Sequence, residues 1–155
     1  MANNKTGFEY YSVETNRYLD IRIKRLKKSF GCNGIAVYDY ILSGIYRDRG
    51  CFVEWDENTA FDVAEYFGIK ESLVNEIVNY CCAVGLFDKA LLASERILTS
   101  QSIQKRYLEM CTRAKRINST IPERVKIREV CPKLTEECAK LTEVCDKGKE
   151  SKESK

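Results

Sequence analysis

The stretch CFVEWDENTAFDVAEYFGIKESLVNEIVNYCCAVGLFDKALLASERIL, residues 51–98, decides the fold. Its opening, Cys51-Phe52-Val53-Glu54-Trp55, is apolar, aromatic and β-branched, which predicts a short strand. Asp56 or Asn58 can cap a helix that points Ala60, Phe61, Ala64 and Phe67 inward and stops at Gly68. After a brief polar turn, Val74, Ile77, Val78 and Cys81 recur at helical spacing, which predicts a second helix from about Glu71 to Val84, ended by Gly85. Leu86-Phe87-Asp88 and Arg96-Ile97-Leu98 then read as two strands joined by a loop over 89–95, a small β-wing.

Outward from this stretch the pattern remains helical. Upstream, Leu19, Ile23, Leu26 and Phe30 form one stripe of a helix over about Tyr18 to Phe30, ended by Gly31. Beyond Gly34 a second helix carries Ile35, Val37, Tyr38, Ile41, Leu42 and Ile45 on a broad apolar face and breaks at Gly50. Downstream, Thr99 or Ser100 caps a last helix through about Arg116, with Ile103, Tyr107, Met110 and Ala114 on one face. The fold class expected is mainly α: an α+β winged helix-turn-helix with a small β-wing and a C-terminal helix, in a domain over 1–117.

The remainder, 118–155, is expected to be a charged tail, partly helical or disordered. It contains both prolines of the chain, Pro122 and Pro132, and ends in a Lys/Glu/Ser run. Within it Lys133-Leu-Thr-Glu-Glu-Cys-Ala is echoed by Lys140-Leu-Thr-Glu-Val-Cys-Asp, which sets Cys131, Leu134, Cys138, Leu141 and Cys145 along a two-heptad seam. A flexible tail with nascent helix and a short self-association helix are both consistent with so brief a seam.

Composition excludes several classes of function. Forty-four per cent apolar residues can furnish a core, but no run approaches a membrane span and no apolar leader opens the chain, so a cytoplasmic protein is expected. The chain has eight cysteines and no histidine. Without Cys-x2-4-Cys pairs or histidine, the thiols read as small buried apolar groups rather than zinc ligands, and no metal or cofactor is expected. Lacking histidine, scattered carboxylates and no phosphate-binding or nucleophile motif argue against an enzyme.

The net charge of +3 conceals segregation. Between Arg17 and Lys28 six bases meet one acid, between Asp48 and Glu95 ten acids meet three bases, and between Arg96 and Arg116 six bases meet one acid. The helix that would enter a DNA groove exposes Ser72, Asn75, Glu76 and Asn79, with Lys70 as the sole base beside it. That is poor in the phosphate contacts which supply most affinity for DNA. Candidate phosphate contacts lie instead on the first helix (Arg17, Arg22, Lys24, Arg25, Lys28), in the wing (Lys89, Arg96) and on the last helix (Lys105, Arg106, Arg113, with Lys115 and Arg116). Tyr10, Tyr11 and Tyr18 are candidates either to stack on bases or to pack at the rim of the core.

The motifs Asp20-x-x-x-Lys24, Phe30-Gly31-x-x-Gly34, Val63-Ala64-x-x-Phe67-Gly68, Gly85-Leu86-Phe87-Asp88 and Leu98-Thr99-Ser100-x-x-Ile103-Gln104-x-x-Tyr107 resemble a replication-like N-terminal domain family. It is associated with phages and mobile elements in Bacteroides- and Listeria-type genomes, and Arg113 matches its closing arginine. The resemblance covers about residues 8 to 116. The family is similar to the winged-helix domains of DnaD-like primosomal proteins, which implies a role near replication initiation or helicase loading. Where the family often has a Phe-Pro-His-Asp-like segment, this chain has Phe8-Glu9-Tyr10-Tyr11, so no role of that His or Asp carries over. Two functions follow: weak, non-specific DNA binding through the flanking helices and wing, or a module that self-associates or docks a replication protein, with no membrane partner in either.

Overall fold

Asp20 sets where the first long helix begins. Its side chain accepts the Arg22 N–H at 2.8 Å, capping α1 (Ile21–Asp48), and Leu19 is left in the short 3-10 turn Arg17–Leu19 ahead of it. Leu19 is therefore exposed, and the buried stripe starts at Ile23. In this computed structural model, which describes residues 6–116 and 119–127, α1 bends at Gly31, whose φ of 67° and ψ of −151° leave the helical region. A left-handed φ at that position suits the residue without a Cβ. The two helices expected on either side of Gly31 are the two arms of this bent element.

Gly50 reverses the chain into β1 (Val53–Glu54). Asp56 then caps α2 (Glu57–Phe67) by accepting the Thr59 N–H, and Gly68 closes it in the left-handed conformation. A three-residue turn leads to α3 (Glu71–Ala83), which packs against both α1 and α2. The buried face of α2 is Ala60, Val63 and Ala64; Phe61, expected inside, is exposed because it lies a residue off that stripe.

The wing differs from expectation. No strand forms over Leu86–Asp88, since Asp88 turns its side chain onto the Leu91 N–H and caps a short helix, α4 (Lys89–Glu95). β2 (Ile97–Leu98) pairs antiparallel with β1, Val53 opposite Leu98 and Glu54 opposite Ile97. Asp88 keeps one tie to the sheet, its N–H donating to the Thr99 carbonyl at 2.8 Å. Ser100 caps α5 (Gln101–Arg113) by accepting the Ile103 N–H. The protein is thus mainly helical with one two-stranded antiparallel sheet among the described residues.

A single core, with Tyr46, Phe87, Leu26, Ile45 and Ile77 among its largest enclosed side chains, joins all five helices. It also reaches Ile121 and Val125, which are buried beyond α5. The motif Leu98-Thr99-Ser100-x-x-Ile103-Gln104 is a structural knot in this core. Thr99 donates its hydroxyl to the Cys51 carbonyl at 2.6 Å and accepts from Gln104, and Gln104 reaches onward to the chain at Val125 and Ile127.

Of the described cysteines, Cys51, Cys81, Cys82 and Cys111 are buried and Cys32 is exposed. Burial pushes the thiols of Cys51 and Cys82 up to about 11 and that of Cys81 up to about 12, which withholds the reactive thiolate. Brief alkylation of the native protein, followed by peptide mass mapping, is expected to label Cys32 well ahead of these four. Labelling of Cys81 at a comparable rate would mean that the α1–α3 packing opens easily. The heptad positions Cys131, Leu134, Cys138, Leu141 and Cys145 lie outside the described residues.

Candidate nucleic-acid interface

The basic residues fall into two populations, one internally engaged and one exposed. The first serves an N-terminal arm, residues 6–16, that lies across α5. The Phe8 N–H donates to the Tyr46 carbonyl at 2.7 Å, and the Tyr11 ring stacks on Tyr46 with centroids 4.6 Å apart. Arg106 donates to Glu14 at 2.6 Å and to the Tyr46 hydroxyl at 3.1 Å; Arg113 donates to Ser12 at 2.9 Å. Arg116 sits 3.8 Å over the Phe8 ring and donates to the Gly7 carbonyl. Burial opposes the charge of Arg106, but the Glu14 carboxylate and Tyr46 hydroxyl outweigh it and hold the guanidinium more firmly protonated than usual. Three arginines that read as a phosphate-binding face of the last helix therefore clasp the arm.

Two arginines near the start of α1 are used in the same way. Arg17 meets Asp39 at 2.6 Å in a pair whose side chains are 14% and 35% exposed, so solvent screens it only partly. Burial pushes the Asp39 carboxyl up, against the pull of Arg17. Arg22 is held by Asp20 and donates to the Gly85 carbonyl, which ties α1 to the end of α3. Tyr18 lies 5.5 Å from the Arg17 guanidinium and is exposed, as is Tyr10.

The second population is on the outer face of the first arm of α1. Lys24, Arg25, Lys27 and Lys28 are exposed, and none joins an ion pair among the described residues. Lys24, Arg25 and Lys28 form a stripe opposite the buried Ile23 and Leu26, a spacing that follows from 100° per residue. Lys105 is exposed on α5, Lys89 on the first turn of α4 and Lys70 just before α3.

On α3, Ser72, Asn75, Glu76 and Asn79 face outward as the spacing requires. Asn75 has a structural duty, its side-chain oxygen accepting the indole N–H of buried Trp55 at 3.3 Å. Arg96 closes α4 with a left-handed φ of 54°, and its carbonyl accepts the Trp55 backbone N–H. Its place is at the sheet rather than at the tip of a hairpin. Asp56, Glu57, Glu71 and Arg96 line a shallow recess beside this face, leaving it predominantly acidic.

These features sit in a recognisable lineage. Residues 10–103 match the family described as Lin1244/Lin1753-like, N-terminal. The chain belongs to that family. It is similar to the phage-related protein Lin1244/Lin1753 of Listeria innocua, with 25% identity over 134 residues that cover 84% of this chain and 44% of that protein. The chain thus spans less than half the length of this curated relative. No solved structure matches. No described helix is long and apolar enough to cross a membrane.

Proposed function

We propose that this Lin1244/Lin1753-like domain is a non-enzymatic winged-helix binding module that contacts DNA weakly and without sequence preference. Its service would be to replication initiation or helicase loading on phage or mobile-element DNA, as in DnaD-like primosomal proteins. The observation that carries the DNA reading is the exposed stripe of Lys24, Arg25 and Lys28, with Lys27 beside it, on the outer face of α1. Among the described residues these cations have no carboxylate partner, whereas Arg17, Arg22 and Arg106 each have one. The phage-related relative supports the setting. The acidic exposed face of α3 argues against sequence readout by that helix.

Fluorescence anisotropy with duplex and single-stranded DNA, taken over a range of salt, tests the reading. Binding should weaken steeply as salt rises, and replacing Lys24, Arg25, Lys27 and Lys28 with Gln should flatten the log–log slope by about 3. Arg113→Gln, which removes an arm contact, should leave that slope unchanged. Flat anisotropy at low salt and high protein concentration would refute DNA binding.

A second reading, an assembly module that self-associates or docks a replication protein, draws on the acidic recess formed by Asp56, Glu57 and Glu71. Light scattering that finds a concentration-dependent dimer, lost on deleting residues 128–155 and so sparing the buried Ile121 and Val125, would favour it.

A further inference from the structure

Between the N-terminal arm, α1 and Leu86 lies a pocket of about 390 Å³. Three arginines, Arg17, Arg22 and Arg106, line it, together with Glu14 and Asp20. Glu14 is taken by Arg106 and Asp20 by Arg22. Arg17 is held by Asp39, which is not part of the wall, and of the five N–H donors a guanidinium carries it commits one to that contact.

The deciding group is Tyr38. It lines the pocket and is only 8% exposed, yet its hydroxyl has no hydrogen-bond partner among the described residues. A buried hydroxyl without a partner is costly, and native interiors keep few of them. The ring itself is well placed, with the Phe87 ring centroid 5.5 Å away and the Arg17 guanidinium 5.8 Å from its own centroid. The side chain is therefore fixed, with its polar tip left over at a cavity that holds spare arginine donors. Leu42 and Leu86 give the same cavity an apolar floor. Convergent polar groups on an apolar concavity of this size are what a small-ligand site requires.

We propose that this pocket binds a small organic anion. Its phosphate or carboxylate head takes the uncommitted donors of Arg17 and the Tyr38 hydroxyl, and its apolar, ring-sized body lies along Leu42 and Leu86. Because Glu14 and the neighbouring arm form part of the wall, occupancy also fastens the arm to α1. The DNA-facing residues Lys24, Arg25 and Lys28 lie outside the pocket, so this inference stands or falls separately from DNA binding.

Isothermal titration calorimetry of the full chain with phenyl phosphate, benzoate and inorganic phosphate tests it. A ring-bearing anion is expected to bind, and inorganic phosphate, which cannot use the apolar floor, to bind at least about tenfold more weakly. Binding of phenyl phosphate alone assigns a phosphate ligand, and binding of benzoate alone a carboxylate. Tyr38→Phe should weaken the interaction about tenfold by removing one hydrogen bond to a charged head. The same change should leave the melting midpoint of the ligand-free protein unchanged or raise it, since it deletes an unpaired hydroxyl. The proposal is overturned by silence towards both ring-bearing anions at millimolar concentration, by equal affinity for inorganic phosphate, or by Tyr38→Phe binding like the wild type. A lowered midpoint for Tyr38→Phe would equally overturn it, because the hydroxyl would then already be satisfied.

Discussion

Gly50→Ala is expected to destabilise the protein by about 3–5 kcal/mol, combining left-handed backbone strain with overpacking. Gly50 has a φ of 91°, which L side chains rarely adopt, and its N–H donates to the Ile45 carbonyl at 2.6 Å to close α1. A Cβ there would strike the Tyr107 ring and the Thr6 carbonyl. Tyr107 is buried in the core and cannot swing away, and the Thr6 atom is backbone. Since domains commonly hold only about 5–15 kcal/mol in total, urea unfolding should show much of the stability gone. Gly44→Ala provides the control. That residue lies inside the same helix, and an added Cβ would meet nothing closer than the Arg47 guanidinium at 3.7 Å. Alanine there should be neutral or stabilising by up to about 1 kcal/mol. A Gly50→Ala midpoint equal to the wild type would show that the turn between α1 and β1 has slack the packing does not display.

Gln104→Ala is expected to cost about 3 kcal/mol, because buried hydrogen-bonding groups lose their partners without access to water. Gln104 is 4% exposed. Its amide donates to Thr99 Oγ1 at 3.2 Å and to the Val125 carbonyl at 2.8 Å, while its oxygen accepts the Ile127 N–H at 2.9 Å. The side chain ties the backbone at Val125 and Ile127 to α5, beside the core burial of Ile121 and Val125 and the long contacts of Arg124 to Glu54 and Glu95. Hydrogen exchange should therefore speed up at Ile127 in the variant well before the α1–α3 core is affected. Gln104→Glu discriminates further, since it keeps an acceptor for Ile127 but loses the donor to Val125. A loss below about 1 kcal/mol in Gln104→Ala would leave Thr99 as the principal support of the knot.

How much of this was legible in the sequence depended on the range of the interaction involved. Asp56, Gly68, Ser100 and the apolar stripes of α3 and α5 act within a few residues, and capping and periodicity reveal the stripes and Gly68 directly and narrow each N-cap to two candidates. α4 was also written locally, in Asp88 ahead of the good helix formers Ala90-Leu91-Leu92-Ala93. Seven residues between two apolar runs nevertheless look like a wing loop, which hides the cap at Asp88. The basic faces were harder. A count of charges along Arg96–Arg116 cannot reveal that Arg106 is matched by Glu14 and Arg113 by Ser12, because those partners lie 92 and 101 residues away. The stripe on α1 survived as a candidate because no distant carboxylate reaches it among the described residues. Tyr38 gave no signal at all: at its helical position it reads as core, and only the enclosed packing shows that its hydroxyl lacks a partner among the described residues.

The arm clasped by Arg106, Arg113 and Arg116 also bears on the order in which the domain can be assembled as it leaves the ribosome. The bent α1, α2 and α3 have most of what they need within about 65 residues of chain, and can collapse while the rest is still being made. The arm can meet Tyr46 of α1 early, through Phe8 and Tyr11, but its clasp by Arg106, Arg113 and Arg116 closes loops of about a hundred residues and waits for α5. Until α5 is made, the Phe8 ring lacks Tyr107 and Arg116, and the pocket lacks the part of its wall that Arg106 supplies.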